Sequence, residues 1–136
     1  MAVEISGTYT GNLGVEVHHG PSGAVLQTAA PKDNQGDGSS FSPTDLAAAA
    51  LGACMLTLMG IVARRDGIAL EGCSFQLEKH MRADPRRIDR LPIVFTMPAG
   101  LEPAQRKKLE RAALTCPVHR SLLPEIDKTT RFDYPD

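Results

Sequence analysis

The sequence predicts a single α+β domain, in which strands and helices occur in separate groups. Three observations lead to this prediction: alternating apolar and polar residues near the amino terminus, an uncharged stretch from 46 to 63, and strand-like segments followed by an amphipathic helix. A chain of 136 residues is long enough for one domain with a modest core. Only 4% of the residues are aromatic and Trp is absent, which favours completing the core across a dimer interface.

The first thirty residues predict an amino-terminal β-meander. Val3–Ser6 and Val15–His18 alternate apolar and polar residues, as half-buried strands do, and a Gly-Asn turn signal lies between them. A second turn at 20–23 leads to a third strand over Ala24–Ala29. The Gly-rich stretch 31–40 then predicts a flexible loop and not a linker between domains.

A long central helix is predicted over residues 42–65. Ser42 is a capping residue, Pro43 suits the first helical position, and Asp45 places an acid three residues after the cap. The eighteen uncharged residues 46–63 reach the lower limit of a membrane span, but their many Ala residues favour a buried helix. A helix that is apolar on every face needs cover on every face, which a twin helix from a second subunit could supply.

Residues 68–136 predict a ββααβ portion. Two strands are expected over Cys73–Glu78 and Leu91–Met97, with a hairpin loop at 83–86 between them. A helix begins at Pro103, and one of its faces is formed by residues at helical spacing, Leu109, Ala112, Ala113 and Cys116. Pro117 restarts the chain in a short helix, and a final strand is expected over Lys128–Tyr134.

The charge pattern and the chain start limit the expected partners and compartment. The net charge is −1, and the basic runs at 64–65, 82–90 and 106–108 are interpreted as solvated faces, so we expect no nucleic-acid or membrane partner. The first residues have neither a basic start nor an apolar segment of the kind that secretory signals carry. Three cysteines, an odd number, then indicate reduced thiols and a cytoplasmic protein.

The candidate chemistry lies in two of these cysteines. Cys54, in the middle of the apolar helix, is either a small core residue or a thiol that a second feature makes reactive. Cys116 either ends its helix as a core residue or turns its sulfur toward the free N–H groups of the next helix, which would lower its pKa. His119 and Arg120 add cationic or proton-accepting groups within one turn.

Other interpretations of the polar residues remain open at this point. Cys116 and His119 have the spacing of two zinc ligands, which His18 and His19 could complete, and a Cys–His hydrolase pair is a further alternative. Neither has a supporting local signature, so we expect no metal and no cofactor. Cys73 is interpreted as a buried wall residue.

The segments around Cys54 and Cys116 resemble the two cysteine motifs of the OsmC/Ohr family. Ser42–Leu46 followed by Ala48–Cys54 resembles the first motif, and Thr115–Leu122 resembles the second. The resemblance covers nearly the whole chain. It implies an OsmC-like intertwined homodimer, in which long central helices pack against antiparallel sheets.

The resemblance also implies a thiol-dependent peroxidase acting in the oxidative stress response. Cys54 would attack an alkyl or lipid hydroperoxide and become a sulfenic acid, and Cys116 would condense with it to a disulfide. A small or protein dithiol, of the lipoyl type, would then reduce that disulfide.

Two departures from the family pattern favour an alternative. Peroxide-reducing members activate the first cysteine with an Arg from the amino-terminal strands and a Glu near the start of the long helix. Here no Arg precedes Arg64, and Thr44 and Asp45 occupy the helix start. Asp45 is also fully accounted for by the cap. His18, His19 or Lys32 could stand in for the Arg, although none binds a carboxylate bidentately. The alternative function is a non-catalytic or weakly catalytic module that binds a small hydrophobic ligand at the dimer interface.

Overall fold

The computed structural model describes residues 1–136 and contains two compact units, residues 1–47 and residues 48–136. The chain has mixed helix and strand content, with eight strands in three small sheets and one long helix. The predicted α+β class is confirmed.

The first unit holds the predicted meander. Its strands β1 (Ile5–Gly11), β2 (Gly14–His19) and β3 (Val25–Ala29) pair antiparallel in chain order. Asn12 and Leu13 link the first two strands with φ values of 53° and 60°. This left-handed geometry matches the twist of a tight hairpin, which explains why a Gly-Asn turn signal stands there.

The long helix α1 (Pro43–Asp66) begins with the predicted cap. The Asp45 backbone N–H donates to Ser42 Oγ at 3.1 Å, and the Ser42 backbone N–H donates to Asp45 Oδ2 at 2.9 Å. Two otherwise unpaired donors are thus satisfied reciprocally, in a capping box that uses Asp in place of the usual Glu. The helix bounds agree with the predicted 42–65 to within one residue.

A single chain covers only part of this helix. Leu51, Met55 and Met59 are fully buried, but on another face Ala50, Ala53, Thr57 and Ile61 are exposed at helical spacing. Only 33% of its most apolar stretch is buried, and by length and composition it is the one helix in the chain that could cross a membrane. The prediction of a helix buried on every face is therefore not met within one chain.

The segment between α1 and the next helix holds four strands, where two were predicted. These are β4 (Ser74–Leu77), β5 (His80–Ala83), β6 (Arg86–Arg90) and β7 (Ile93–Thr96). The charged residues of 79–90 hide the alternation that would have predicted β5 and β6, although Ile88 is buried. The chain leaves the β5–β6 hairpin before β7 at Pro92, which lacks the backbone N–H that strand pairing needs.

The second unit contains a mixed sheet in the order β4-β7-β8, with β8 at Thr130–Asp133. The other strand pairs of the three sheets are antiparallel, as predicted, and β8 runs parallel to β7. The reason is the connection, because the two intervening helices return the chain to the starting end of the sheet. Phe95 lies at the centre of this sheet, with its ring centroid 6.2 Å from that of Phe75 and 5.3 Å from that of Phe132.

The sheet approaches α1 closely at one glycine. A Cβ atom built at Gly52 would lie 2.5 Å from the Phe75 ring, far inside van der Waals contact. The missing side chain therefore allows an aromatic strand residue to press against the helix one turn from Met55.

Two helices follow β7 in the chain, α2 (Pro103–Leu114) and α3 (Pro117–Ser121). Leu109 and Ala113 are fully buried, which confirms the apolar face predicted from their spacing. Cys116 has φ −57° and ψ 125°, a non-helical geometry that separates the helices. The predicted effect of Pro117 on its preceding residue is thus confirmed.

Candidate functional site

Cys116 is the N-cap residue of α3. Its sulfur accepts a hydrogen bond from the His119 backbone N–H at 3.3 Å, and its side chain is completely buried. Pro117 occupies the first helical position, where its missing N–H costs nothing. The sulfur therefore faces the start of the next helix, as one of the two interpretations left open by the sequence has it, and the side chain is buried, as the other has it.

The thiols of Cys54 and Cys116 lie close enough together for the Cys54 thiol to shift the pKa of the Cys116 thiol. Both are free, with Cys116 buried and Cys54 half-buried on α1. The middle of the long helix and the start of a short one therefore converge at two sulfur atoms. A disulfide can form from such a contact when the side chains move closer together.

The pKa of the Cys116 thiol is raised, so the expected lowering by the helix start is wrong. Burial is the largest cause, and the neighbouring Cys54 thiol raises the pKa further. The N–H groups at the start of α3 act in the opposite direction but are outweighed. A buried thiol therefore stays protonated at neutral pH in spite of its helix-capping position.

His119 follows Cys116 by three positions in the chain and is half-buried. Burial, followed by the nearby Lys128 ammonium, lowers the pKa of its imidazole below the usual 6.5. The neutral ring can accept a proton at pH 7, so of the two roles left open by the sequence the structure favours the proton acceptor. Arg120 is exposed, and its backbone N–H bonds to the Cys116 carbonyl at 3.1 Å.

The sequence did not predict that Lys128 lies beside His119. Its ammonium donates to the Leu123 and Ile126 carbonyls, at 3.3 Å and 2.9 Å. Those bonds hold the cation in the loop before β8, where it acts on His119. No local sequence pattern carries this information, because the two residues belong to different elements.

The remaining predicted residues lie in the first unit, each with a local partner. Thr44 Oγ1 is 3.2 Å from Ser42 Oγ, and Asp45 completes the helix cap. His19 Nδ1 lies 2.6 Å from Ser22 Oγ. His18 Nε2 lies 2.7 Å from Glu16 Oε1. These bonds assign the side chains to turns, caps and strand surfaces.

Cys73 contacts a different sulfur. Its thiol donates to Met97 Sδ at 3.7 Å, and burial raises its pKa. Cys73 is half-buried and directly precedes β4, so the predicted buried wall position is met only in part. Nowhere in the chain do three His, Cys, Asp or Glu side chains come together in a cluster that could hold a metal ion.

Comparison with solved structures finds close relatives of this fold. A protein from Psychrobacter arcticus 273-4 is 40% identical to this chain with a TM-score of 0.90, and the match covers 95% of this chain and 94% of that one. That protein is named for an osmotic stress induced and detoxification response. An organic hydroperoxide resistance protein OsmC from Legionella pneumophila is 22% identical with a TM-score of 0.72, covering 98% and 97%.

A third structure shows the same fold at lower identity. An organic hydroperoxide resistance protein from Elizabethkingia anophelis is 15% identical with a TM-score of 0.75, covering 98% of this chain and 96% of that one. No protein of curated function matches the chain. The family model described as OsmC-like protein matches residues 36–131, which include both contacting cysteines. The chain therefore belongs to the OsmC-like protein family.

Proposed function

We propose that this protein is a thiol-dependent peroxidase that reduces organic hydroperoxides through Cys54 and Cys116. The observation that carries the proposal is the proximity of the two thiols, which the shift of the Cys116 pKa by Cys54 reflects. Family membership and neighbours named for organic hydroperoxide resistance support a peroxide-related role. The paired thiols add a route by which such a role could be carried out.

The proposed cycle oxidises the thiols by two electrons. The Cys54 thiolate attacks the terminal oxygen of an alkyl or lipid hydroperoxide, the O–O bond breaks, and the alkoxide takes a proton to leave as an alcohol. Cys54 becomes a sulfenic acid. The Cys116 sulfur then attacks that sulfenic sulfur, a disulfide forms, and the hydroxyl leaves as water with the proton that Cys116 releases.

The order of the two cysteines follows from their burial. Cys54 is half-buried, so a substrate can reach its sulfur, whereas Cys116 is completely buried. A buried thiol with a raised pKa is a poor first nucleophile but is well placed to meet a sulfenic acid formed beside it. His119 is a candidate acceptor for the proton that Cys116 loses.

A second copy of the chain belongs to this proposal. The exposed face of α1 carries Ala50, Ala53, Thr57 and Ile61 in the region that holds Cys54. Small residues at this spacing allow a second helix to approach closely, and its packing would shield an apolar surface that one chain leaves open. We therefore propose a homodimer in which α1 packs against its twin beside the dithiol site.

The disulfide must be returned to thiols by an external dithiol. Thiol–disulfide exchange with a small or protein dithiol transfers two electrons and two protons to Cys54 and Cys116, and leaves the reductant as a disulfide. A dithiol pool is maintained in reducing compartments, so we propose that the protein works in the cytoplasm.

The test is to treat the reduced protein with cumene hydroperoxide and map its cysteines by peptide mass spectrometry. We expect a Cys54–Cys116 disulfide, with the Cys73 peptide unmodified. The matched variant C116S should stop at a Cys54 sulfenic acid that dimedone traps. The proposal fails if both cysteines remain thiols while a known thiol peroxidase reacts under the same conditions.

A ligand-binding module is the second candidate, favoured by the apolar face of α1 that one chain leaves exposed. Native mass spectrometry of the freshly purified protein distinguishes the two functions. A co-purifying hydrophobic molecule that C54S still binds, together with thiols inert to peroxide, would support this function over the peroxidase.

A further inference from the structure

The β5–β6 hairpin concentrates positive charge. Residues 79–90 contain five of the fifteen Lys and Arg residues of the chain and two of its sixteen Asp and Glu residues, a net charge of +3. The rest of the chain then has a net charge of −4. The sequence predicted a solvated face for this run, and the strand register shows which of its charges share a face.

Two arginines of this hairpin lie directly opposite each other. The register pairs Arg82 of β5 with Arg87 of β6, next to the Ala83–Arg86 pair that closes the turn. Side chains at opposed positions have Cβ atoms about 5 Å apart and share one face of the ribbon, so like charges there repel. An exposed hairpin gains nothing for its own folding from such a pair.

The two acids of the hairpin lie outside this pair. Asp84 belongs to the turn, and Asp89 is the extra residue of the bulge between the His80–Arg90 and Met81–Ile88 pairs. Other acids engage the neighbouring cations, since Glu78 Oε1 lies 2.9 Å from His80 Nε2, and Arg90 acts on Asp127. Arg82 and Arg87 therefore form the centre of the charged face.

The other face of the hairpin holds the arginines in place. Met81 and Ile88 point to the side opposite Arg82 and Arg87, because neighbouring residues in a strand alternate, and Ile88 is buried. Arg87 Nη1 also donates to the Ile88 carbonyl at 2.7 Å, which orients its guanidinium. The pair is thus displayed on an anchored ribbon.

We propose that this Arg82–Arg87 face docks a short acidic segment of a partner protein. Guanidinium groups bind carboxylates bidentately, and two arginines whose Cβ atoms lie about 5 Å apart match the Cβ spacing of Asp or Glu residues one helical turn apart. The net charge of −4 on the rest of the chain repels a long polyanion, and the hairpin has no Phe, Tyr or Trp on which bases could stack. Both features favour a short acidic peptide over a nucleic acid.

The test measures fluorescence anisotropy of labelled hexaglutamate with the full-length protein at low and high salt, beside labelled hexathymidylate. R82E/R87E should weaken hexaglutamate binding by about tenfold or more. The matched control K107E/R111E changes the same net charge on the exposed surface of α2, one turn apart, and should stay within about twofold. R82K/R87K should bind more weakly than the wild type because lysine lacks the planar fork.

Several results would overturn this inference. The inference fails if hexaglutamate does not bind at low salt, or if the α2 control variant loses as much binding as R82E/R87E. It also fails if hexathymidylate binds more tightly than hexaglutamate, or if R82K/R87K binds hexaglutamate as well as the wild type does. Peroxide-induced formation of the Cys54–Cys116 disulfide serves as the folding control, since neither arginine takes part in the proposed chemistry. A hairpin variant that still forms the disulfide but loses hexaglutamate binding supports the docking face.

Discussion

Helices α1 and α3 each supply one thiol to the site, and they place the two thiols in opposite surroundings. α1 holds Cys54 half-buried in mid-helix, where the backbone amides already bond to one another. α3 holds Cys116 completely buried as its N-cap, with a backbone N–H directed at the sulfur. Capping alone would make Cys116 the more reactive thiol, yet its pKa is raised. Burial thus outweighs a single helix start, and the accessible thiol is the better candidate for the first attack.

Replacing each cysteine separates their proposed roles most strongly. C54S should lower the steady-state rate of hydroperoxide reduction by roughly a thousandfold or more, because the attacking sulfur is lost. C116S should still consume one equivalent of peroxide and then stop. A ferrous-xylenol assay of residual peroxide measures both, and a C116S variant that loses its first turnover while C54S keeps it would reverse the assignment.

The pH dependence of disulfide closure tests the raised pKa of Cys116. At neutral pH only a small fraction of Cys116 is thiolate, so the closure rate should rise about tenfold per pH unit until the pH reaches the raised pKa, above the usual 9.0. Quenched-flow trapping of the Cys54 sulfenic acid with dimedone measures that rate. A rate that is already constant by about pH 8 would show that the start of α3 prevails over burial.

The stability of alanine variants should follow the same contrast. C116A removes a buried side chain and the cap of α3, so the free energy of unfolding should fall by about 1–3 kcal/mol. C54A truncates a half-buried side chain and should cost about 0.5 kcal/mol or less. Urea denaturation under reducing conditions gives both values, and C116S, which keeps a capping oxygen, should recover part of the loss. Equal costs for the two alanine variants would contradict the difference in burial.

The third cysteine provides the smallest expected effect. Cys73 contacts Met97 and takes no part in the proposed cycle, so C73A should change the peroxidase rate by less than about twofold. The same peroxide assay serves here, with C54S as the inactive reference. A large loss of activity in C73A would mean that the functional pair is not limited to Cys54 and Cys116.

Local signals predicted much of this molecule because they act over a few residues. The Ser42–Asp45 cap, the turn at Asn12 and the break at Pro117 each depend on backbone geometry that a short segment sets by itself. The loop at 83–86 was predicted, but the strands β5 and β6 on either side of it were missed for the opposite reason. These strands are held by cross-strand pairing and by burial of Ile88, while their own residues are mostly charged.

The electrostatics of the site could not be predicted in the same way. The raised pKa of Cys116 requires the burial of that thiol and its contact with Cys54, which is 62 positions earlier in the sequence. The lowered pKa of His119 requires Lys128, which is held by loop carbonyls after α3. Each pKa shift is the sum of contributions from separate elements, so its direction cannot be inferred from any single segment.

The sequence by itself determined the long capped helix, the position of Cys116 before a helix-starting proline and the resemblance of both cysteine motifs to one family, because each depends on residues that are neighbours in the chain. Only the tertiary structure decided that the two thiols meet, that burial raises the pKa of one of them, and that Arg82 and Arg87 share a face. Those outcomes depend on distances and solvent access, which folding fixes between residues that the sequence keeps apart.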